Sequence, residues 1–205
     1  MAVSKAASAR HSVTEGARGA KALIERAALD LFCQRGVDAV TTREIAAASG
    51  VSEGALYRHY PSKESLAETM FFAIHKRLAD EVAKAASRET EIDGKARAIV
   101  GAYARIADED WTLFSYHLLT THRFLPFAGK TPERAQRNPV AIIENTIADA
   151  MARGELAKGD ANLKAAAALG VVLQSSLHKI YGRIDGALSV HEPALADAVI
   201  AVLKS

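Results

Sequence analysis

Glu53, Gly54, Tyr57, Arg58, His59 and Tyr60 fall within eight residues of one another. They crowd polar and aromatic groups onto one short segment whose inward anchors are Leu56 and Ala55. A solvated surface helix rarely needs two tyrosines, an arginine and a histidine so close together. The chemistry these groups offer is recognition, not bond breaking: guanidinium pairs with the guanine edge, and carboxylate accepts from cytosine N4. Gly54 falls at the second position of a short helix, where it costs up to about 1 kcal/mol relative to alanine. That cost makes sense if the backbone must approach something closely. A phosphate chain is the natural candidate, because helix N-termini present free N–H groups and a partial positive charge. In the plainer alternative, the tyrosines pack against the preceding helix.

Two capped helices must hold this segment. Thr41 and Glu44 have the spacing of a capping box, and Val40 can staple onto Ile45, so a helix starts at Thr42. Alanines 46 to 48 propagate it, and Gly50 supplies the left-handed residue that ends it. Ser52 then caps a second helix, with Val51 and Leu56 repeating the staple spacing. Pro61 cannot donate a backbone hydrogen bond and pushes Tyr60 out of the helical region, which limits this helix to about two turns. Ser62 caps a third, longer one. Two short helices joined by a four-residue turn have the grammar of a helix-turn-helix. Upstream, Leu23, Ile24, Ala27, Ala28, Leu31 and Phe32 recur at offsets of three and four and form one apolar stripe that ends at Gly36. The lone Cys33 sits on that helix and excludes an internal disulfide. Its expected role is that of a small buried hydrophobe.

Ala27–Gly36 (AALDLFCQRG), Thr41–Gly50 (TTREIAAASG) and Val51–Lys63 (VSEGALYRHYPSK) resemble the DNA-binding domain of the TetR family of transcriptional regulators over residues 18 to 66 or so. The resemblance implies an all-α chain, with a three-helix DNA-binding head followed by a helical ligand-binding and dimerisation body. It implies that Thr42, Tyr57, His59 and Lys63 touch phosphates, and that Ser52, Glu53, Gly54 and Arg58 lie at or near the groove. Arg43, beside Thr42, is expected in the same contact set. Many relatives carry Lys or Arg where this chain has Glu53, so Glu53 is either a base reader or a partner of the helix dipole, with the second preferred. A head of this kind implies a pseudo-palindromic double-stranded operator read by a homodimer.

The chain has 205 residues, 49% of them hydrophobic, which is ample for a core. Its net charge of +2 lies entirely in the head: nine Lys/Arg face seven Asp/Glu up to Ser65, and the remainder balances. Lys5, Arg10, Arg18 and Lys21 face only Glu15. The expected organisation is a flexible basic arm over 1–17, the helix-turn-helix domain over 18–65, and the helical body over 66–205. The arm can run along a DNA backbone or remain a loose terminus. Every apolar run is broken by charge before about 18 residues, so no membrane span is expected. The start of the chain lacks the apolar core of a signal peptide, and a cytoplasmic protein is expected.

Beyond Ser62 the pattern stays helical. Leu66, Met70, Phe71, Ile74, Leu78 and Val82 are at helical spacing over 63–86, joining head to body. Ser87–Gly94 reads as a loop, and Lys95–Asp108 as helix. Trp111–Phe127 combines apolar walls with a few polar groups, as a small-molecule pocket requires. The expected pocket comprises Tyr103, Trp111, Phe114, Tyr116, His117 and Phe124, the alternative being an ordinary packed helix. Pro126, Gly129 and Pro132 mark a loop. The resemblance implies that two C-terminal helices from each subunit form the dimer interface, and helices over 162–183 and 192–203 fit that role with Leu169, Val172, Leu173, Ser176, Leu177, Ile180, Leu195 and Val199, the alternative being that they simply cap the monomer core.

No enzyme is expected. His117 and His122 are five apart and do not stack on one helix face, so no metal site is expected, and no phosphate loop or nucleophile elbow calls for a cofactor. The function expected is that of a ligand-responsive, sequence-specific repressor released from its operator by a small, mostly apolar effector. Promotion of binding by the ligand fits the residues equally. One alternative keeps the same head on a body that binds a protein partner, in an architectural or cell-cycle role. A filled core beside Trp111–Phe127 would favour it, and a lined void there would favour the sensor. A more remote alternative is a small all-helical hydrolase or lyase using His117 and Glu109.

Overall fold

The computed structural model describes residues 12–125 and 138–205, and among these it contains nine α-helices, one 3-10 turn and no strand. The head is formed by α1 (Gly19–Arg35), α2 (Thr42–Ser49) and α3 (Glu53–His59). The stripe of α1 is rotated from its expected position. Ile24, Ala28, Leu29 and Phe32 are buried, whereas Leu23 is 55% exposed. Glu25 takes the remaining place on the inner face and is fully buried. The arm is shorter than expected, because Val13, Thr14 and Ala17 are buried against the head. Residues 1–11, with Lys5 and Arg10, lie outside the described residues.

Helix α4 (Lys63–Ala86) runs 24 residues, about 36 Å at 1.5 Å per residue, from the head through the body. Around it pack α5 (Ile92–Glu109), α6 (Trp111–Phe124) and α7 (Pro139–Ala152). Helices α8 (Ala161–Ile180) and α9 (Glu192–Lys204), the latter preceded by a 3-10 turn at Leu188–His191, close the far side: α7 packs on α8, α8 on α9, and α9 on α5. Helix α5 begins at Ile92, inside the segment expected as loop. Its own preceding residue, Glu91, makes no side-chain cap, and the carboxylate of Glu155 accepts the Ile92 N–H at 2.6 Å instead. A cap supplied from 63 residues away leaves no local signature. The acidic run after Tyr103 also serves as caps. Asp108 accepts from the N–H groups of Leu188 and Ser189 at 2.7 and 2.9 Å, and Asp110 accepts from Leu113 N–H at 3.1 Å. The loop expected around Pro126, Gly129 and Pro132 lies outside the described residues. No helix among those described is long and apolar enough to cross a membrane.

The expected dimer face is divided by the packing. Val172, Ser176, Leu195 and Val199 are buried within the single chain, and Ser176 Oγ donates to the Val172 carbonyl at 2.8 Å. Val172 and Ser176 point inward because α8 packs on α7 and α9, and Leu195 and Val199 because α9 packs on α5 and α8. Leu169, Leu173, Leu177 and Ile180 are half-buried. The solvent face of α8 instead carries Leu163, Ala166, Ala167, Gly170 and Gln174.

Head and body meet along α1 and α6. Phe32, 3% exposed, stacks on Tyr116 with ring centroids 6.1 Å apart, and Tyr116 Oη donates to the Ala67 carbonyl at 2.8 Å. Deeper in, the rings of Phe71, His75 and His117 stack, with His75 Nδ1 and His117 Nε2 sharing a hydrogen bond of 3.0 Å between α4 and α6. Burial pushes both imidazoles down from the ordinary 6.5, His75 to about 4 and His117 to about 3.

Two outcomes follow from this packing. Phe32→Ala removes a ring from the head core and the seam together and should lower stability by about 3–5 kcal/mol in urea unfolding. The histidine pair sets an acid limit. Above pH 6.5 both rings are neutral whether the chain is folded or not. Below it the unfolded chain takes up protons that the folded one refuses, so stability falls as pH drops toward 4, by up to about 1.4 kcal/mol per pH unit for each ring. Melting temperatures between pH 7 and 4 should show this slope, and a His75→Leu, His117→Leu double variant should flatten it.

Candidate nucleic-acid interface

The capping box is present at the start of α2. Glu44 N–H donates to Thr41 Oγ1 at 3.2 Å, and Thr41 N–H donates to Glu44 Oε2 at 2.8 Å. The bonds from Thr41, joined by one from Arg35 at 2.9 Å, hold the Glu44 carboxyl down at about 2. Helix α2 ends where Gly50 takes φ 72°, ψ 20°, a left-handed conformation that lets Val51 N–H reach the Ala46 carbonyl at 3.1 Å. Ser52 Oγ then accepts from Ala55 N–H at 3.2 Å, starting α3. Leu56, fully buried, is the inward anchor of α3.

With Leu56 inside, the rest of α3 faces out. Glu53, Gly54, Tyr57, Arg58 and His59 are exposed, as are Ser52 before them and Arg43 on α2. Thr42 and Tyr57 are brought together, their hydroxyls 3.1 Å apart. Glu53 occupies the first turn of α3, where a carboxylate interacts favourably with the helix dipole. Nothing inside the chain asks for glycine at 54: an added Cβ would meet only Ser52 Oγ, at 4.0 Å. The requirement for a bare backbone therefore points outward.

Lys63 does not join this face. Its ammonium donates to the carbonyls of Val37, Asp38 and Val40 at 3.0, 3.1 and 2.8 Å. An ammonium has three hydrogens, and all three are spent on the α1–α2 loop. The expected phosphate contact is replaced by a structural one, which clips the root of α4 to the loop that leads into α2. Asp38 in that loop also receives Arg123 of α6, with both carboxylate oxygens at 2.8 Å from Nη1.

The orientation of α3 depends on a residue that the sequence reading missed. The buried Glu25 carboxylate accepts Tyr60 Oη at 2.5 Å, Thr14 Oγ1 at 2.6 Å and Thr14 N–H at 3.0 Å, with Lys21 Nζ 3.8 Å away. Burial, then the carboxylate beside it, push the Tyr60 phenol far above its ordinary range. One network thus joins the segment before α1, α1 itself and the residue that closes α3. A signal was available, since Glu25 stands three, four and seven residues before Ala28, Leu29 and Phe32, on the buried stripe.

The body holds a small apolar void of about 40 Å³ between α5, α7, α8 and α9. Its walls include Ile99, Tyr103, Ile147, Leu169, Val172 and Val199, and no charged side chain lines it. Of the expected pocket residues only Tyr103 belongs to it. Phe114, Tyr116 and Phe124 are core, His117 is paired with His75, and Trp111 stacks on Phe114 at 5.9 Å. The reason is geometric: α6 is caught between α1 and α4, which uses up Phe114, Tyr116, His117 and Phe124 in packing, whereas Trp111 at its start also borders a separate hollow against α1 and α8. Thr146, the other hydroxyl on the cavity wall, donates to the Ile142 carbonyl at 2.7 Å. Cys33 is half-buried and donates to the Thr112 carbonyl at 3.2 Å; burial, then Asp30 and Asp110, push its thiol up to about 12. Among the described residues there is no group of three or more metal-ligating side chains.

Residues 24–70 match the family model of bacterial regulatory proteins, tetR family. The nucleoid occlusion factor SlmA of Pasteurella multocida (strain Pm70) is 40% identical over 60 residues, 29% of this chain and 30% of that protein. The HTH-type transcriptional repressor KstR2 of Rhodococcus jostii (strain RHA1) is 42% identical over 55 residues, 27% of each. The chain thus matches under a third of the length of these curated relatives. The whole fold is shared with the fatty acid degradation regulator FadR from Bacillus halodurans, at a TM-score of 0.74 and 16% identity over 89% of this chain and 96% of that one.

Gly54→Ala separates the two demands on α3. It should stabilise the helix by up to about 1 kcal/mol in thermal or urea unfolding. If the bare backbone serves a phosphate, the same variant weakens binding to duplex DNA in a filter or anisotropy assay. A tighter-binding Gly54→Ala would refute that role.

Proposed function

From a head that belongs to the tetR family of bacterial regulatory proteins, we propose that this chain is a sequence-specific transcriptional repressor whose grip on DNA is set by a small, mostly apolar effector. The observation that carries the DNA half is the exposed face of α3, with Tyr57, Arg58 and His59 displayed over a buried Leu56. The proposed contact set is Thr42, Arg43, Ser52, Glu53, Gly54, Tyr57, Arg58 and His59. Helix α3 enters the major groove, Arg58 reads a base edge, and the Thr42–Tyr57 pair lies against phosphate. The carrier of the sensor half is the uncharged, apolar lining of the void behind α5, which at about 40 Å³ must widen as the helices part to take an apolar guest. The protein acts in the cytoplasm as a homodimer on a pseudo-palindromic operator, and as a regulator instead of a catalyst. The solvent face of α8, rich in small residues, is the proposed dimer surface.

A ligand can change DNA affinity only by binding two states differently. An effector between α5 and α8 presses on α5, which packs along α4. Helix α4 in turn begins at Lys63, four residues after the end of α3, and Lys63 grips the loop into α2. A tilt of α4 therefore carries the root of the helix pair with it. In a dimer this changes the separation of the two heads, and operator affinity drops.

The reading in which the body serves a protein partner draws on the head's likeness to a nucleoid occlusion factor, but that likeness stops at 30% of the factor's length. Selection of random duplexes at two salt concentrations tests the choice. A palindromic motif is the expected result; salt-sensitive binding without a motif would favour the architectural reading. On the selected site Arg58→Ala should cost about 1–3 kcal/mol at one base position, while Tyr57→Ala weakens binding on all sequences. Equal loss across sequences for Arg58→Ala would remove it from base reading.

A further inference from the structure

A second hollow, of about 280 Å³, lies where the head meets the body, walled by α1 on one side and by α6 and α8 on the other. Three features mark it as built. Ser115, 7% exposed on the α6 wall, leaves its Oγ buried with no hydrogen-bond partner. Thr120 and Thr121 on the same helix return their hydroxyls to the carbonyls four residues back, at 2.6 and 2.7 Å, but Ser115 does not. A buried hydroxyl without a partner is destabilising, so a guest that accepts from it is favoured there. Second, Lys179 of α8 lies with its ammonium 5.0 Å from the centre of the Trp111 ring, and the Gly186 carbonyl takes one of its three hydrogens. Third, Leu119 and Ile180 give the same hollow an apolar side.

We propose that this junction hollow binds a small monocarboxylate with an apolar body. The carboxylate accepts from Lys179, Ser115 supplies the second hydrogen bond, and the hydrocarbon part lies against Leu119 and Ile180. Asp30 on the head wall and Asp108, within electrostatic reach of Lys179, already oppose negative charge in the hollow, so a dianion is disfavoured more strongly than a monoanion. The site is separate from the apolar cavity, which shares none of these residues.

Trp111 is the only tryptophan in the chain and borders the hollow, so its fluorescence reports on the site directly. The full-length protein is titrated with benzoate, with benzamide as the uncharged isostere and inorganic phosphate as a second anion. Benzoate should give a saturable change in emission, and benzamide and phosphate none over the same range. Lys179→Met should weaken the benzoate response at least tenfold, and Lys179→Arg should keep it. Ser115→Ala should raise the melting temperature, because an unpaired buried hydroxyl is gone, and yet weaken benzoate severalfold. A rise in stability with unchanged benzoate affinity would overturn the role of Ser115. Equal responses to benzoate and benzamide, a response to phosphate matching that to benzoate, an undiminished response in Lys179→Met, or no response at all would overturn the site.

Discussion

A carboxylate with no exposed surface can survive only if donors surround it, and Glu25 is where the head meets that condition. Its donors come from Thr14 before α1 and from Tyr60 at the end of α3, so satisfying one charge fixes three pieces of chain against each other. The hydrophobic contacts of Ile24, Ile45 and Leu56 draw the same helices together but are tolerant of rotation. Hydrogen bonds are not tolerant in that way. The angle at which α3 is presented depends on Glu25 keeping its partners.

The second constraint is the seam between head and body. It combines the Phe32–Tyr116 stack, an Arg26–Asp110 ion pair at 2.8 Å with both side chains mostly buried, the Cys33–Thr112 bond and the Arg123–Asp38 fork. Every one of these links the head to α6 or the residue that caps it. The body therefore holds the head from two directions, through α6 at the seam and through α4 at Lys63. A change at either can reach α3 without passing through the DNA-facing residues.

The two hollows in the body lie along these two routes. The apolar void sits behind α5, which packs along α4, whereas the junction hollow sits on the seam itself. Their chemistry differs as their positions do: one has no charged wall, and the other holds an ammonium, a carboxylate and an unpaired hydroxyl.

What is written in local spacing was legible without coordinates. The capping box at Thr41–Glu44, the left-handed Gly50, the Ser52 and Ser62 caps and the stop before Pro61 are all interactions within a few residues, and each appears in the structure where its signature stands. That is why the head could be read from about fifty residues. The body obeyed helical spacing too, so its all-helical class was visible. Which side of each helix faces which neighbour was not, because an apolar stripe states only that something covers it. Phe114, Tyr116 and Phe124 looked like a pocket wall and are packing, since α1 and α4 enclose them, while Trp111 borders the junction hollow; Val172 and Val199 looked like a dimer face and line an internal void. Lys63 looked free for phosphate until the fold brought three carbonyls, from 23 to 26 residues away, to its ammonium. The start of α5 at Ile92 depends in the same way on Glu155. Caps and turns are settled by neighbours in sequence, while burial, pairing of charges and the placing of hollows are settled by neighbours in space, which only the tertiary structure supplies.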